Sequence, residues 1–369
     1  MKNMTSFDAF LSIKNIKGLD FVSNFLQVQK GTIKRWEKQQ SIPKNYDTDL
    51  KKIINQIEIE YPHIDIVKSQ NNTLTNKTNF IDKTNSFSQI ILGDVCEFLP
   101  QLQNIKFNIV IADPPYNIGK NFGNNRDLLE IDEYLKWSLD WIQQCLKLLT
   151  PNGIFYMYGY PEILARVAAQ FPYDKQRILA WHYTNKNMPS CNFWQRSYES
   201  ILCLWNNKKP EINIDQIREP YTSNFLKCDG KKRIGTLGRF GNSETLYRVN
   251  EKGALPRDII KVPALAGGAG FKERFFLCKT CDCKIFSSKE LKNHQKPHQT
   301  IIHPTQKPQM LTIKLIDSVI MKNQKGNVLI PFAGSGSECL VAKKKNLNYI
   351  GIEINPDYVM LIKELLKNV

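Results

Sequence analysis

Long apolar runs are missing from this sequence. No stretch reaches the ~18 apolar residues needed to cross a bilayer. The opening residues, Met1-Lys-Asn-Met-Thr-Ser-Phe-Asp8, hold no apolar signal-peptide core, so no membrane partner and a cytoplasmic location are expected. Acid is also scarce: 35 Asp and Glu stand against 51 Lys and Arg, a net charge of +16. An excess of that size favours a polyanionic partner, because phosphate binding releases condensed counterions. There is no internal repeat. Of nine cysteines, Cys96, Cys145, Cys203 and Cys339 are scattered through apolar stretches, which suits reduced thiols in a cytosol.

What is present falls into zones. Residues 1–65 carry helical periodicity and many lysines, and 66–88 are rich in Asn, Thr, Ser and Lys, as linkers are. From Ser88 onward apolar runs alternate with amphipathic stretches, the pattern of βαβ units around a mostly parallel sheet. The runs predict strands over Ser88–Leu92, Phe107–Ala112, Gly153–Tyr158, Ile178–Tyr183, Ser200–Trp205, Asn327–Ile330 and Asn348–Glu353. They predict helices over Ile131–Leu149, Pro161–Phe171, Leu311–Met321, Ser337–Lys345 and Pro356–Asn368. Between Asn206 and Thr300 the alternation gives way to Gly, Lys, Arg and aromatics, expected to be a loop-rich insertion with a binding surface. The expected division is thus 1–65, 66–88, 89–205, 206–300 and 301–369.

Asp113-Pro114-Pro115-Tyr116 ends the apolar run Phe107–Ala112. It reads as a buried strand stopping at a proline-fixed turn, with an acid and an aromatic at the strand's carboxyl end, where ligands bind in open α/β sheets. The acid can accept a hydrogen bond from an exocyclic amine, and the ring can stack on a base. Far downstream, Phe332-Ala333-Gly334-Ser335-Gly336-Ser337 follows a strand and opens a helix. Its glycines allow a tight turn and close backbone approach to a ligand. Glu353 ends the next strand, placed to bond ribose hydroxyls. Taken alone, the glycine loop is also an ordinary turn, Glu353 a solvated acid, and Asp94 in Leu92-Gly93-Asp94 a helix N-cap.

Together these segments resemble the DNA amino-methyltransferases that use S-adenosylmethionine to modify adenine N6 or cytosine N4. Motif order resembles the beta class, with target recognition between the catalytic motif and the cofactor loop, and the match covers about residues 88–365. The resemblance implies a Rossmann-like methyltransferase fold, with a doubly wound sheet, a small helical N-terminal module and a loop-rich recognition insertion. It implies that Asp113, Pro114, Pro115 and Tyr116 act on a base flipped out of double-stranded DNA. It further implies that Asp94, Phe332, Gly334, Ser335, Gly336 and Glu353 hold the cofactor. His303-Pro-Thr305-Gln306-Lys307-Pro resembles the segment that closes over its methionine end. Asp at the head of the catalytic motif favours adenine N6, since cytosine-N4 enzymes usually carry Ser there. At one position the chain departs from the family: Ile330 stands where an Asp usually precedes Pro-Phe.

Two accessory modules are expected. Cys278-x2-Cys281-x12-His294-x3-His298 has the spacing of a two-Cys, two-His zinc finger, with Cys283 an alternative ligand. Five lysines around it suit DNA contact, and a structural clip suits it equally. Phe21–Glu37 resembles a phage-repressor helix-turn-helix, with Ser23–Leu26 as first helix and Gly31–Trp36 opening the recognition helix. The expectation is a site-specific adenine-N6 DNA methyltransferase of a restriction–modification system. A cognate restriction endonuclease and a homodimer are left open. The rivals are a cytosine-N4 enzyme, a DNA-binding regulator with a vestigial methyltransferase domain, and an enzyme acting on RNA.

Overall fold

The computed structural model describes residues 26, 28–39, 41–46, 48–50, 87–120, 128–185, 192–234, 244–265, 273–281, 283–285, 291 and 298–367. The first helix of the expected helix-turn-helix, all but Leu26, and the 66–86 part of the linker lie outside them. What is described of the N-terminal module is helix α1 (Lys30–Gln39), which carries the expected Gly31–Trp36. Ile33 and Trp36 are buried, and the Trp36 ring meets Tyr46 at 5.1 Å.

Five strands and three helices come first in the main body: β1 (Ser88–Leu92), α2 (Val95–Phe98), β2 (Phe107–Ala112), α3 (Ile131–Lys147), β3 (Leu149–Gly159), α4 (Pro161–Ala168), β4 (Gln176–His182) and β5 (Tyr198–Leu204). Among the described residues the zone from 206 to 300 holds short pieces: a helical turn at Ser223–Leu226, β6 (Lys232–Ile234), β7 (Glu244–Leu246), β8 (Ile259–Lys261), β9 (Phe276–Cys278) and β10 (Cys283–Ile285). Then follow β11 (Thr300–Ile301), α5 (Gln309–Val319), β12 (Asn327–Ile330), α6 (Ser337–Lys344), β13 (Asn348–Glu353) and α7 (Pro356–Leu366).

Eight strands form one sheet in the order β1-β13-β12-β2-β3-β5-β4-β8. Pairing is parallel except along both edges of β5, the one reversed strand. Apolar runs such as Phe107–Ala112 have no polar alternation because both faces of the sheet are covered. Ile109 and Ile111 pack under α5, α6 and α7, while Val110 and Ala112 pack under α2, α3 and α4. Helix α3 buries Tyr134, Ser138, Trp141, Ile142 and Cys145, one stripe at helical spacing, with Asp132 and Glu133 at its N-terminus and Lys147 at its end.

Several elements shift from their expected bounds. Strand β3 starts at Leu149 rather than Gly153, because Leu149 pairs with Phe107 before the register slips to Ile109 opposite Ile154. Helix α4 stops at Ala168, short of Phe171, ahead of Pro172, which disfavours helix in the residue before it. The insertion is not wholly detached from the sheet, since β8 extends it by pairing with β4. A separate three-stranded sheet, β10-β9-β11, packs Phe275, Leu277 and Ile301 against Tyr358 and Leu361 of α7.

The connection from β12 through α6 leads to β13 on one side, and that from β2 through α3 leads to β3 on the other. The order therefore diverges between β12 and β2, and a crevice opens beyond their carboxyl ends, the usual ligand position in such sheets.

Candidate active site

The crevice is a cleft of about 1080 Å³, open mouth included. Four strand ends supply its floor: Gly93 and Asp94 after β1, Asp113 to Tyr116 after β2, Pro331 to Ser335 after β12, and Glu353 at the end of β13. His303, Thr305 and Lys307 reach in from the segment before α5, and Trp137, Tyr160 and Glu199 complete the wall. Two expected residues do not line it. The Gln306 amide donates instead to the Glu273 carbonyl at 2.7 Å. Gly336, at φ 81°, caps α6 where a Cβ would stand 2.9 Å from Ile362 Cγ1.

One end of the cleft is a buried polar cluster. Lys307 is 4 % exposed, and its ammonium lies 2.9 Å from Asp113 Oδ1, 2.9 Å from the Tyr116 hydroxyl and 3.4 Å from Glu199 Oε2. The Tyr116 hydroxyl stands 2.8 Å from Asp113 Oδ1 and 2.9 Å from Glu199 Oε2. Its one proton serves one of these carboxylates at a time. Tyr183 donates to Glu199 Oε1 at 2.9 Å. The two acids divide. Burial pushes the Asp113 carboxyl above its ordinary range, against the pull of Lys307. Burial also works against the Glu199 charge, but Lys307, Tyr183 and Tyr116 more than offset it and hold that carboxyl low. Lys307 is held charged, the two acids outweighing its burial. With both acids ionised the cluster carries one net negative charge.

Local geometry aims the motif. Asn117, at φ 58°, exchanges side-chain hydrogen bonds with the backbone of Leu129, and the Tyr134 hydroxyl donates to the Pro115 carbonyl at 2.8 Å. Asp113 Oδ1 is taken by Lys307 and Tyr116, whereas Oδ2 has no protein partner among the described residues, and the side chain is 16 % exposed. Beside it, the Tyr116 ring meets Tyr160 edge-on, with centroids 5.3 Å apart.

The other end suits a nucleoside. Glu353 accepts from Gly334 N at 2.7 Å and from Asn355 N at 2.8 Å, which ties the glycine loop to the end of β13. Burial still pushes its carboxyl up to about 7. Gly334 has φ 50°, and a Cβ there would stand 2.9 Å from His303 Nε2, so the backbone must approach the imidazole bare. Burial pushes His303 down to about 3, keeping the ring neutral. Asp94 does two jobs: it lines the cleft, and its Oδ1 accepts from Cys96 N at 2.9 Å as the cap of α2.

Ile330 is wholly buried beneath the loop. An acid that the sequence reading missed, Glu338, lines the cleft from the first turn of α6. Its Oε2 accepts from Ser337, its Oε1 is buried with no partner among the described residues, and burial pushes it up to about 7. Glu199 was missed too, although an acid inside the apolar run Tyr198–Leu204 is a signal that could have found it.

At a third place Cys278, Cys281 and His298 bring their ligand atoms within 4.8 Å of one another. Cys278 Sγ is 3.4 Å from His298 Nδ1. His294 and the side chain of Cys283 lie outside the described residues.

A family profile described as DNA methylase, covering N6 and N4 amino-methylases, matches residues 107–364, more than half of the 369 residues. The chain belongs to this family. Membership makes it a DNA amino-methyltransferase, taking its methyl group from S-adenosylmethionine and placing it on an exocyclic base amine. The type II methyltransferase M.HpaI of Haemophilus parainfluenzae is 26 % identical over 284 residues, covering 75 % of this chain and 74 % of that one. The DNA adenine methyltransferase YhdJ of Escherichia coli is 24 % identical over 279 residues, covering 75 % and 82 %. Among solved structures, the M1.HpyAVI–SAM complex is 23 % identical with a TM-score of 0.45, covering 76 % of this chain and all of that one. The cytosine-N4-specific PvuII DNA methyltransferase is 16 % identical with a TM-score of 0.49, covering 76 % and 88 %.

Among the described residues, no helix of the methyltransferase is long and apolar enough to cross a membrane.

Proposed function

We propose that this methyltransferase modifies adenine N6 at a specific site in double-stranded DNA, as the modification partner of a restriction endonuclease. The observation that carries the reading is Asp113: a half-tied carboxylate, its Oδ2 without a partner among the described residues, at the carboxyl end of the central strand. When bound, the cofactor supplies an electrophilic methyl group. The residues present fit it. The acceptor oxygens of Glu353 and Asp94 suit the hydroxyls of a ribose and the amine of a base. Glu338, with its unpartnered oxygen, supplies the acid that Ile330 lacks, and Gly334 leaves room for close backbone approach.

The remaining work belongs to the chain's own side chains. An exocyclic amine lies inside the duplex, so the target base must leave the stack. Tyr116 and Tyr160 offer it aromatic surface. Asp113 Oδ2 accepts an amine N–H, which orients the nitrogen lone pair and gives the departing proton a destination. A carboxyl raised above its ordinary range is the better proton acceptor. Lys307 holds Oδ1 so that the carboxylate cannot turn away, and the cluster's net negative charge favours the positive charge that gathers on the nitrogen. An aspartate at this position also favours adenine, since cytosine-N4 enzymes usually carry serine there.

We further propose a structural zinc ion on Cys278, Cys281 and His298, with His294 as fourth ligand by its spacing. Two thiolates and an imidazole are the donor set of zinc rather than of a hard cation.

Incubating the purified protein with plasmid and labelled S-adenosylmethionine, followed by single-molecule sequencing for modified bases, tests the base and the site together. N6-methyladenine at one recurring sequence is expected. N4-methylcytosine would overturn the base assignment, and no DNA modification would overturn the activity.

A further inference from the structure

We infer that the zinc knuckle is a latch on Lys307, the lysine that positions Asp113, rather than a DNA reader. This rests on the zinc reading above and goes beyond it. The geometry suits a tetrahedral ion: zinc bonds of ~2.3 Å to sulfur and ~2.0 Å to nitrogen place the two donors ~3.5 Å apart, and Cys278 Sγ stands 3.4 Å from His298 Nδ1. The third donor, Cys281, also turns its thiol and backbone N–H toward Cys278, so three zinc-type ligands converge on one point.

The ligands are joined to the cleft by short, direct steps. Cys278 sits opposite Thr300, and Leu277 opposite Ile301, so one ligand sets the place of β11. Lys279 N donates to the Gln299 carbonyl at 2.8 Å, beside the ligand His298. Two residues past β11 the chain enters the cleft at His303, and Lys307 follows. The residues just before β9 also hold this segment from its other end. Arg274 donates to the His303 carbonyl at 3.1 Å, Gln306 donates to the Glu273 carbonyl at 2.7 Å, and Gln309 N donates to Glu273 Oε2 at 3.0 Å.

A sheet this small sits at the edge of independent stability, where a staple adds most. Strands β9 and β10 have three residues each and β11 has two. Three strands with a hydrophobic face, or packing on a helix, are the least that stands alone. One face here does pack on α7. Between Cys281 and His298 the chain must still be brought back to β9, and a shared ion does this directly. If the ion is lost, β11 loosens, and with it the buried Lys307 that steadies Asp113. A DNA reader has no need of this attachment to the closing segment.

The test uses the full chain, as wild type, Cys281→Ser and His298→Cys, with three measurements. Metal analysis should find about one zinc per chain in the wild type and in His298→Cys, and a loss of zinc in Cys281→Ser. Isothermal calorimetry should find S-adenosylmethionine bound at least ~10-fold more weakly by Cys281→Ser, with His298→Cys near wild type, because a thiolate can replace the imidazole. The acid limb of the methyl-transfer pH profile should move up by about one unit in Cys281→Ser, because a displaced Lys307 no longer lowers the Asp113 pKa. A purely structural loss would lower the amount of active protein without moving the limb. Absence of zinc from the wild type overturns the ion and the latch together. Zinc present in the wild type and lost from Cys281→Ser, with cofactor affinity and acid limb unchanged and only DNA affinity reduced, overturns the latch and leaves the ion.

Discussion

Removing Asp113 tests the mechanism at a single residue. Asp113→Ala should lower methyl transfer by ~10²-fold or more, the usual contribution of a positioned base, while cofactor affinity by calorimetry stays within a few-fold. A variant within tenfold of wild type would end the catalytic assignment. Its neighbour Glu199 gives a test with a sign. The negative charge of Glu199 raises the Asp113 pKa. Asp113 must be ionised to take a proton, so activity is lost as pH falls through its raised value. Glu199→Gln removes that charge and should move the acid limb of kcat/KM to lower pH; a limb that stays or rises contradicts the pairing. Asp113 and Tyr116 were legible in the sequence because a strand, two prolines and an aromatic are contiguous there. Glu199 was not, because it lies 83 residues from Tyr116 in the chain and meets it only through the antiparallel return of β5.

At the scale of an element, the glycine loop between β12 and α6 does two separate jobs. Gly334, at φ 50°, lines the cleft and lies against His303, whereas Gly336, at φ 81°, lies against Ile362 of α7. An alanine at either position costs on the order of 1 kcal/mol for a left-handed backbone, before any contact is counted. Gly334→Ala should therefore weaken S-adenosylmethionine binding more than it lowers the melting temperature. Gly336→Ala should do the reverse, because Ile362 is a packed β-branched side chain that cannot swing away. Calorimetry and thermal melts on the two variants compare these directly, and equal effects would mean that the loop acts as one unit. The loop was readable as a turn from its glycines, but the division of labour was not, since both partners come from elsewhere in the chain. Glu338 shows the same limit. Its place two residues past Gly336 marks it as a first-turn helix residue, and only the folded chain, which leaves it 4 % exposed in the cleft lining, makes it a buried acid.

For the whole molecule, the net charge of +16 carries the prediction. DNA affinity should fall steeply with salt, at ~0.9 log unit per log unit of salt for each phosphate neutralised. Charge-neutralising changes among the lysines and arginines of 206–300 should flatten the slope. A salt-independent affinity would leave the basic surface without a role. Removing residues 1–70 should weaken binding while leaving the methylated sequence the same, since base readout is assigned to the insertion beside the catalytic pocket. Methylation of a different sequence by the truncated enzyme would make the N-terminal module part of the reader.

The sequence by itself determined the class of sheet, the strand that ends at Asp113 and the glycine loop that ends at α6. The sheet class is written in the alternation of apolar runs with amphipathic stretches, and the strand and the loop in a short unbroken apolar run and in the turn preferences of proline and glycine. Tertiary structure alone decided which acid is poised and which is held ionised. Asp113, Glu199 and Lys307 come from three distant segments, with Lys307 and Tyr116 separated by 191 residues in the chain. Their charges acquire their values only when burial strips their water and one ammonium stands between two carboxylates.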